Sequence, residues 1–368
     1  MSPRYDKVAI FCETPFQLIV CLNTAVEYLH ARECVAFPVQ DMYRSQSKFL
    51  VPAQPPLIRH VYPVRRTQAS QTRWQGHLNH LRYGKNYTLL DFMYKFPWDM
   101  AFDAAVGIRY TARCRQILQA FDKRVPYYMV EEGIGEYSWP RADGELSAAT
   151  LKDCPMFTQL THVCLLPDLY RAMYPGETVV QAPTIGPESP LRRVLCNQFR
   201  PSPDFRMPAM PWVLYFHQPL DDRFADPADT EHLQRQENMI LDKLAASAPG
   251  AFQLKLHPRD AAADYPAEQV LDLPAAWELV PCTQPIDEML LVSENSTALI
   301  SPKLLFDQEP KVLVLEELFP QNPDRKAAHL ARLRLMHAVR DTYRDPRRFC
   351  IPRTMEEFEH DLAQLLQL

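Results

Sequence analysis

The first forty residues predict a strand, a helix and a second strand in direct succession, and this order constrains the fold strongly. Residues 8–12 form an uninterrupted apolar run, which is typical of a parallel strand buried on both faces. Thr14 and Pro15 follow as an N-cap and a first helical residue, and apolar residues then recur at helical spacing from 16 to 30. Residues 34–39 read as a second strand. A β-α-β start of this kind predicts a parallel sheet in an α/β domain.

Composition excludes several classes of protein. With a net charge of −5, the chain is not expected to bind nucleic acid. The nine cysteines include no CxxC pair, so reduced thiols in a cytoplasmic protein are expected rather than disulfides or a zinc site. No signal peptide and no membrane-spanning apolar run is visible, and only nine glycines occur, with no GxGxxG or Walker-type motif.

Proline content divides the chain into two β/α series. Seven prolines fall between residues 183 and 211, and a new series of predicted strands and helices begins at residue 212. We therefore predict an N-terminal Rossmann-like domain over residues 1–190, a Pro-rich linker over 191–211 and a C-terminal Rossmann-like domain over 212–368.

A strand over residues 252–256 ends in a polar cluster that suits an anion. Apolar and polar residues alternate along it, and Pro258 ends it. Lys255, His257 and Arg259 then bring three basic side chains to its carboxyl end, where ligands bind in open α/β sheets. The simplest ligand for this cluster is a phosphate. The alternative is a solvated strand end with a lone histidine and no ligand.

Two further clusters follow predicted strands. Ser293, Ser296 and Thr297 lie between a short strand and a helix, where hydroxyls and backbone N–H groups favour an anion, although Ser296 can equally be a simple N-cap. Glu131 and Glu132, followed by Gly133, come after the strand over residues 125–130. A carboxylate there can act as a general base or be a surface acid at a turn. No carboxylate cluster predicts a metal site.

A segment rich in basic residues lies between the first two predicted strands and the Glu131 cluster. From residue 42 to residue 90 there is no Asp or Glu, and basic and aromatic residues are interleaved. This is either an ordinary charged surface or a face for an anionic acceptor or lipid. Peripheral contact with the inner face of the membrane through residues 59–85 is the corresponding expectation.

Together the clusters resemble the motifs of bacterial sialyltransferases of glycosyltransferase family 52, the lipooligosaccharide sialyltransferase group, which are shared with bacterial polysialyltransferases. Glu131-Glu132-Gly133 looks like the family's (D/E)(D/E)G motif, His257-Pro258 like its HP motif and Ser296-Thr297 like its Ser/Thr motif. The stretch from Thr14 to Leu18 is similar to the TP-x-QL start common in that family. The order and coarse spacing agree over nearly the whole chain.

The resemblance implies a GT-B architecture, in which two Rossmann-like β/α/β domains face each other across a cleft. It implies an inverting, metal-independent transfer of sialic acid from CMP-sialic acid to a hydroxyl of a cell-surface glycan, lipooligosaccharide or capsule-like, with no cofactor. Glu131 matches the general base and His257 the group that assists departure of CMP. Ser296 and Thr297 match the residues that hold the phosphate, and Lys255 is expected to reach the nucleotide.

Departures from the family pattern keep alternatives open. The acidic pair is Glu-Glu rather than Asp-Asp, and the Asp221-Asp222 pair lies on another loop predicted at the cleft, so Asp221 is an alternative base. The same fold with another nucleotide sugar, or a non-catalytic nucleotide- or glycan-binding protein, are the competing functions. The sequence is equally compatible with a monomer and an oligomer.

Overall fold

The computed structural model describes the two β/α series that the sequence predicts. The described residues are 4–38, 58–61, 101–108, 124–131, 133–138, 151, 156–198, 210–218, 227–257, 265–273, 276–319 and 326–368. The chain divides into two compact units, Met1–Glu132 with Arg141–Phe205, and Gly133–Pro140 with Arg206–Leu368. The boundaries predicted at residues 190 and 211 stay predictions. Within the described ranges, no helix has both the length and the apolar content to cross a membrane.

The first unit begins with the predicted β-α-β sequence. Strand β1 (Lys7–Cys12) has a buried apolar run, and helix α1 (Pro15–Asn23) continues as a π-helical turn, Thr24–Tyr28. Strand β2 (Glu33–Pro38) pairs with β1 in parallel register. The local signals therefore predicted this start correctly.

The sheet of the first unit is parallel throughout. Its remaining strands are β3 (Ile58–Val61), β4 (Ala104–Gly107), β5 (Val125–Val130), β6 (Phe157–Cys164) and β7 (Val179–Gln181). The spatial order is β3-β2-β1-β4-β5-β6-β7. The chain builds outwards from β1 to β3 on one side, then returns to β4 on the other side of β1. The strand order therefore reverses between β1 and β4, the topological switch point of this sheet.

Helices are distributed over both units. Helix α2 (Ile134–Ser138) belongs to the second unit, and α3 (Pro167–Met173) and α4 (Pro190–Gln198) belong to the first. The second unit also contains α5 (Pro227–Ser247), α6 (Leu279–Thr283), α7 (Ser301–Phe306), α8 (Lys326–Arg340) and α9 (Met355–Gln367). Short 3-10 helices span Ala267–Gln269, Thr297–Leu299 and Pro346–Arg348.

The second unit is a smaller parallel sheet with the same kind of reversal. Its strands are β8 (Val213–Phe216), β9 (Phe252–Lys255), β10 (Leu290–Ser293), β11 (Lys311–Val314) and β12 (Phe349–Cys350). The order β12-β11-β10-β8-β9 puts β8 between β9 and β10. The switch point lies between β8 and β10.

Two long helices cover the core of the second unit. Leu233, Ile240 and Leu244 of α5 and Phe358 and Leu362 of α9 are buried against the apolar side chains of the sheet. With an all-parallel sheet in each unit, the predicted α/β fold class with two Rossmann-like units is confirmed.

A buried histidine of the first unit joins strand β6 to helix α3 and to the loop that follows α3. His162 of β6 and Glu177 have side chains 1% and 4% exposed, and the His162 Nε2 lies 3.1 Å from the Glu177 Oε2. The His162 Nδ1 lies 2.9 Å from the hydroxyl of Tyr170 on α3. A neutral imidazole satisfies both contacts, because one nitrogen donates to the carboxylate and the other accepts from the phenol. Burial lowers the pKa of His162, and the charge of Glu177 only partly opposes it.

This network predicts how stability depends on pH. The unfolded chain protonates His162 as the pH falls through about 6.5, whereas the folded chain does so only at lower pH. The stabilisation is therefore complete above about pH 6.5 and is lost below it. Urea unfolding at about pH 7.5 and about pH 5.5 should show a smaller difference for His162→Gln than for wild type. His30→Asn, at an exposed histidine of the same unit, should keep the wild-type difference, and an unchanged difference in His162→Gln would contradict the prediction.

Candidate functional site

Polar residues that follow three neighbouring strands lie at one edge of the second sheet. Because β8, β9 and β10 are parallel, their carboxyl ends lie on the same side, which we call the carboxyl edge. His217 follows β8, His257 comes two residues after the end of β9, and Glu294 follows β10. The switch point between β8 and β10 is therefore bordered by polar residues from three neighbouring strands.

Ser293 fastens the two strands at the switch point. Its side chain is fully buried, and its hydroxyl donates a hydrogen bond of 2.7 Å to the carbonyl of Phe216. The proton of this hydroxyl is therefore used within the sheet. Its predicted contact with a nucleotide stays a prediction.

Lys255 brings a desolvated amine to the end of β9. The residue is half-buried, and burial lowers its pKa, while the charges of Glu278 and Asp272 act in the opposite direction. Burial also raises the pKa of Glu278, and the charge of Lys255 opposes that shift. A phosphate arriving at this amine would favour its charged form, because an opposite charge nearby raises the pKa of a lysine.

His257 is half-buried, two residues beyond Lys255. Four other predicted site residues lie outside the described residues: Glu132, Asp221, Pro258 and Arg259. The basic segment over residues 59–85 also lies almost wholly outside them. The roles of all these residues stay predictions.

The Ser/Thr motif after β10 makes internal contacts. The Ser296 Oγ accepts a hydrogen bond of 3.3 Å from the N–H of Ala298 and caps the 3-10 helix there, as the N-cap alternative predicts. The Thr297 Oγ1 accepts a 3.2 Å hydrogen bond from the N–H of Ile134. Two of the motifs used for the family resemblance therefore meet within the second unit, at Gly133-Ile134 and Thr297.

Gly133 is required at this contact for two reasons. Its φ is +88°, a backbone conformation that side chains disfavour. A Cβ built on it would lie 2.6 Å from the Thr297 Oγ1, which is closer than real contacts allow. The glycine of the acidic motif thus serves the local backbone and its approach to Thr297.

Glu131, the predicted base, is buried in the first unit. It follows β5 directly and is only 3% exposed. Its Oε2 accepts a 3.0 Å hydrogen bond from the N–H of Leu165, just after β6. This bond ties the ends of two neighbouring strands together and gives the carboxylate a structural role. Its role as a base stays a prediction.

The sequence patterns did not predict a hydrogen-bonded network around His217 and Glu237 at the carboxyl edge of the second sheet. The hydroxyl of Tyr265 lies 2.8 Å from the Nε2 of His217, and the Glu237 Oε2 lies 3.4 Å from the same nitrogen. Tyr215 donates to the other oxygen of Glu237 at 2.6 Å. Glu237, on α5, lies in register with the buried Leu233 and Ile240. A carboxylate within an apolar helical stripe was the signal that could have revealed the network.

An ion cluster holds helix α8 against the end of β11. The Oε1 of the fully buried Glu316 accepts hydrogen bonds from the Nδ1 of His329 at 2.9 Å and the Nε of Arg332 at 2.8 Å. Both basic residues belong to α8, so this buried carboxylate has an evident structural use.

Comparison with known proteins supports no assignment beyond the fold. No protein-family model and no curated protein matches this chain. Arabidopsis thaliana UGT89C1 complexed with UDP is 11% identical with a TM-score of 0.45, over 98% of this chain and 100% of that chain. The glycotransferase of kitacinnamycin is 12% identical with a TM-score of 0.42, over 99% and 95%. UDP-N-acetylglucosamine 2-epimerase from Rickettsia bellii is 13% identical with a TM-score of 0.42, over 92% and 97%. Such likeness assigns neither reaction nor ligand.

A double-mutant cycle can measure the energetic coupling between Gly133 and Thr297. Gly133→Ala should lower the free energy of unfolding by about 1–3 kcal/mol, because it adds backbone strain and a collision with Thr297. Gly250→Ala is the matched control in the same unit, since Gly250 has a φ of +71° and open space around its Cβ position. In a Thr297→Ala background the Gly133→Ala penalty should fall towards that of Gly250→Ala. Equal penalties in both backgrounds, measured by urea unfolding, would rule the collision out.

Proposed function

We propose that this chain is an inverting, metal-independent sialyltransferase, which transfers sialic acid from CMP-sialic acid to a hydroxyl of a cell-surface glycan. The observation that carries the proposal is the common edge of β8, β9 and β10. Lys255, His257 and the Ser/Thr motif, which the family resemblance links to the donor phosphate, all belong to strand ends at that edge. A switch point at the same edge is where α/β sheets bind nucleotides.

The chemistry of the leaving group suits these residues. Cleavage of the sugar–phosphate bond leaves negative charge on CMP, and preorganised donors beside the phosphate stabilise that charge. Lys255 supplies a partly desolvated amine, and electrostatic interactions strengthen as water is removed. His257 is proposed to donate a hydrogen bond or a proton to the departing phosphate. Contacts from Arg259, Ser293, Ser296 and Thr297 to the nucleotide belong to the same proposal.

The acceptor side needs a carboxylate base. A base positioned on the acceptor hydroxyl contributes about 10²–10⁴-fold in rate. Glu131 matches the family motif for this role, and Asp221 is the alternative. The acceptor is proposed to be a glycan or glycolipid such as lipooligosaccharide, met by a cytoplasmic enzyme at the inner face of the membrane through the basic segment over residues 59–85.

A non-catalytic nucleotide- or glycan-binding protein is the second candidate. The observation in its favour is the burial of Glu131 and its hydrogen bond to Leu165, which suit a structural carboxylate. A transferase that uses another nucleotide sugar is a variant of the first candidate.

Donor turnover and CMP binding distinguish these candidates. The wild-type protein should release CMP from CMP-sialic acid and bind CMP in calorimetry, and should leave UDP-hexoses unchanged. Binding of CMP without turnover, with water or any tested glycan as acceptor, would support the binding-protein candidate. Turnover of a UDP-hexose instead would favour the variant donor, and neither binding nor turnover of CMP compounds would contradict the proposal.

His257→Ala tests the leaving-group assignment. We expect CMP release from CMP-sialic acid to slow by about 10²–10³-fold, because a donor aimed at the developing charge is lost. His360→Ala changes an exposed histidine on α9 of the same unit and should retain the wild-type rate. Equal rates for both variants would remove His257 from the mechanism.

A further inference from the structure

His217 lies at the switch point of the second sheet, directly after β8. Its backbone N–H donates a 3.1 Å hydrogen bond to the carbonyl of Lys255, the last residue of β9. Its side chain is buried, with only 6% of its surface exposed. His217 therefore connects the end of β8 with the strand end that leads into His257, and it does so from inside the unit.

The chain that leaves β9 returns to His217 at Tyr265. The Tyr265 hydroxyl lies 2.8 Å from the His217 Nε2, and the two ring centroids are 5.4 Å apart. The backbone a few residues beyond Tyr265 also makes a parallel bridge to β9. We call residues 257–265 the HP segment, because they begin with the HP motif. Contacts of His217 thus hold the chain just before the HP segment, at Lys255, and at the last residue of the segment, Tyr265.

The imidazole of His217 is also held from helix α5. The Glu237 side chain places its Oε2 3.4 Å from the His217 Nε2. Tyr215, two residues before His217 on β8, donates a 2.6 Å hydrogen bond to the Glu237 Oε1. Whichever tautomer the imidazole adopts, the Tyr265 hydroxyl can donate to the Nε2 or accept from it. The ring that contacts Tyr265 is therefore supported by buried side chains of its own unit.

The HP segment and the residue pair before it contain the basic side chains that are proposed to hold the donor phosphate. Lys255 ends β9, and His257 and Arg259 belong to the HP segment. A phosphate binds more tightly when such side chains are already in place, because ordering them on binding costs conformational entropy. The hydrogen bond between Tyr265 and His217 fixes the far end of the segment. It is therefore suited to reduce that cost, although neither residue belongs to the basic cluster.

We propose that His217 is a positioning residue for the donor phosphate, which acts through Tyr265 and the HP segment. The inference rests on the proposed function and deepens it. In this role His217 touches none of the reacting atoms, and it lowers the entropy cost of ordering the basic side chains around the phosphate. The cytosine and ribose of the donor do not depend on this contact, so its effect is specific to the phosphate.

The test compares the binding of CMP with that of cytidine, which lacks the phosphate, to the full chain. Tyr265→Phe removes the hydroxyl and keeps the ring. The Kd for CMP should rise about three- to tenfold, as expected for one lost hydrogen bond, while the Kd for cytidine stays within about twofold of wild type. Calorimetry gives the Kd for CMP, and competition with CMP gives the Kd for cytidine.

Tyr343→Phe is the matched control. Tyr343 is a buried tyrosine of the same unit, and its hydroxyl makes no hydrogen bond within the described residues. Its ring packs against Phe349 of β12, the strand at the far side of the sheet from β9. Both Kd values of this variant should therefore match those of wild type.

Variants of His217 test the same hydrogen bond from its other side. The side-chain amide of Gln can donate to the Tyr265 hydroxyl or accept from it, whereas Phe can do neither. His217→Gln should keep the Kd for CMP within about twofold of wild type, and His217→Phe should reproduce the phosphate-specific loss. An equal loss in the two variants contradicts the proposal. If His217→Phe does not fold by circular dichroism, Tyr265→Phe and His217→Gln decide.

The remaining outcomes separate this inference from the proposed function. Unchanged CMP binding in Tyr265→Phe, or an equal loss for CMP and cytidine, overturns the positioning role. The sialyltransferase proposal then still stands if the wild-type protein binds CMP and turns over CMP-sialic acid. A wild-type protein that neither binds CMP nor turns over CMP-sialic acid overturns the proposed function, and the role of His217 with it.

Discussion

Parallel pairing around an internal first strand is the constraint on which both units depend. In each sheet the first strand, β1 or β8, has a neighbour on both sides, so the chain must build outwards twice from the same strand. Every strand ends at one edge, and the connections diverge where the order reverses. Side chains that follow β1, β8, β9 and β10 therefore collect at carboxyl edges whatever their distance in sequence.

When no ligand is bound, the hydrogen-bonding groups of polar residues at such an edge need partners within the protein. Ser293 donates to Phe216, Ser296 caps a short helix and Thr297 accepts from Ile134, because buried polar groups without partners are costly. Ser296 and Thr297 use their hydroxyl oxygens as acceptors in these bonds, so their O–H groups can also donate to a phosphate, but they carry no charge. The proposed recognition of an anion at this edge would accordingly fall chiefly to basic side chains, of which Lys255 is one.

Local sequence signals predicted most helices and strands well. They did not predict the contacts of individual site residues, which depend on partners far away in the sequence. The β-α-β start followed from an apolar run, Thr14 and Pro15, and the alternating residues of β9 gave that strand. Strand β3 was missed because its four residues lie in a segment rich in basic residues. The burial of Glu131 depends on Leu165, a partner 34 residues away, and no spacing in the sequence encodes that contact. The fold class was therefore predictable, whereas the use of each site residue was not.

A general base needs both a fixed position and access to the proton that it removes, and burial sets these requirements against each other. Deep burial fixes Glu131 through a hydrogen bond to its carboxylate, which occupies the group that would have to react. At Glu13 the fixing bonds are made by the backbone N–H groups of the turn and the side chain of Gln17. The turn after β1 is thus held by its own backbone and by Gln17, so its position does not depend on the burial of a carboxylate.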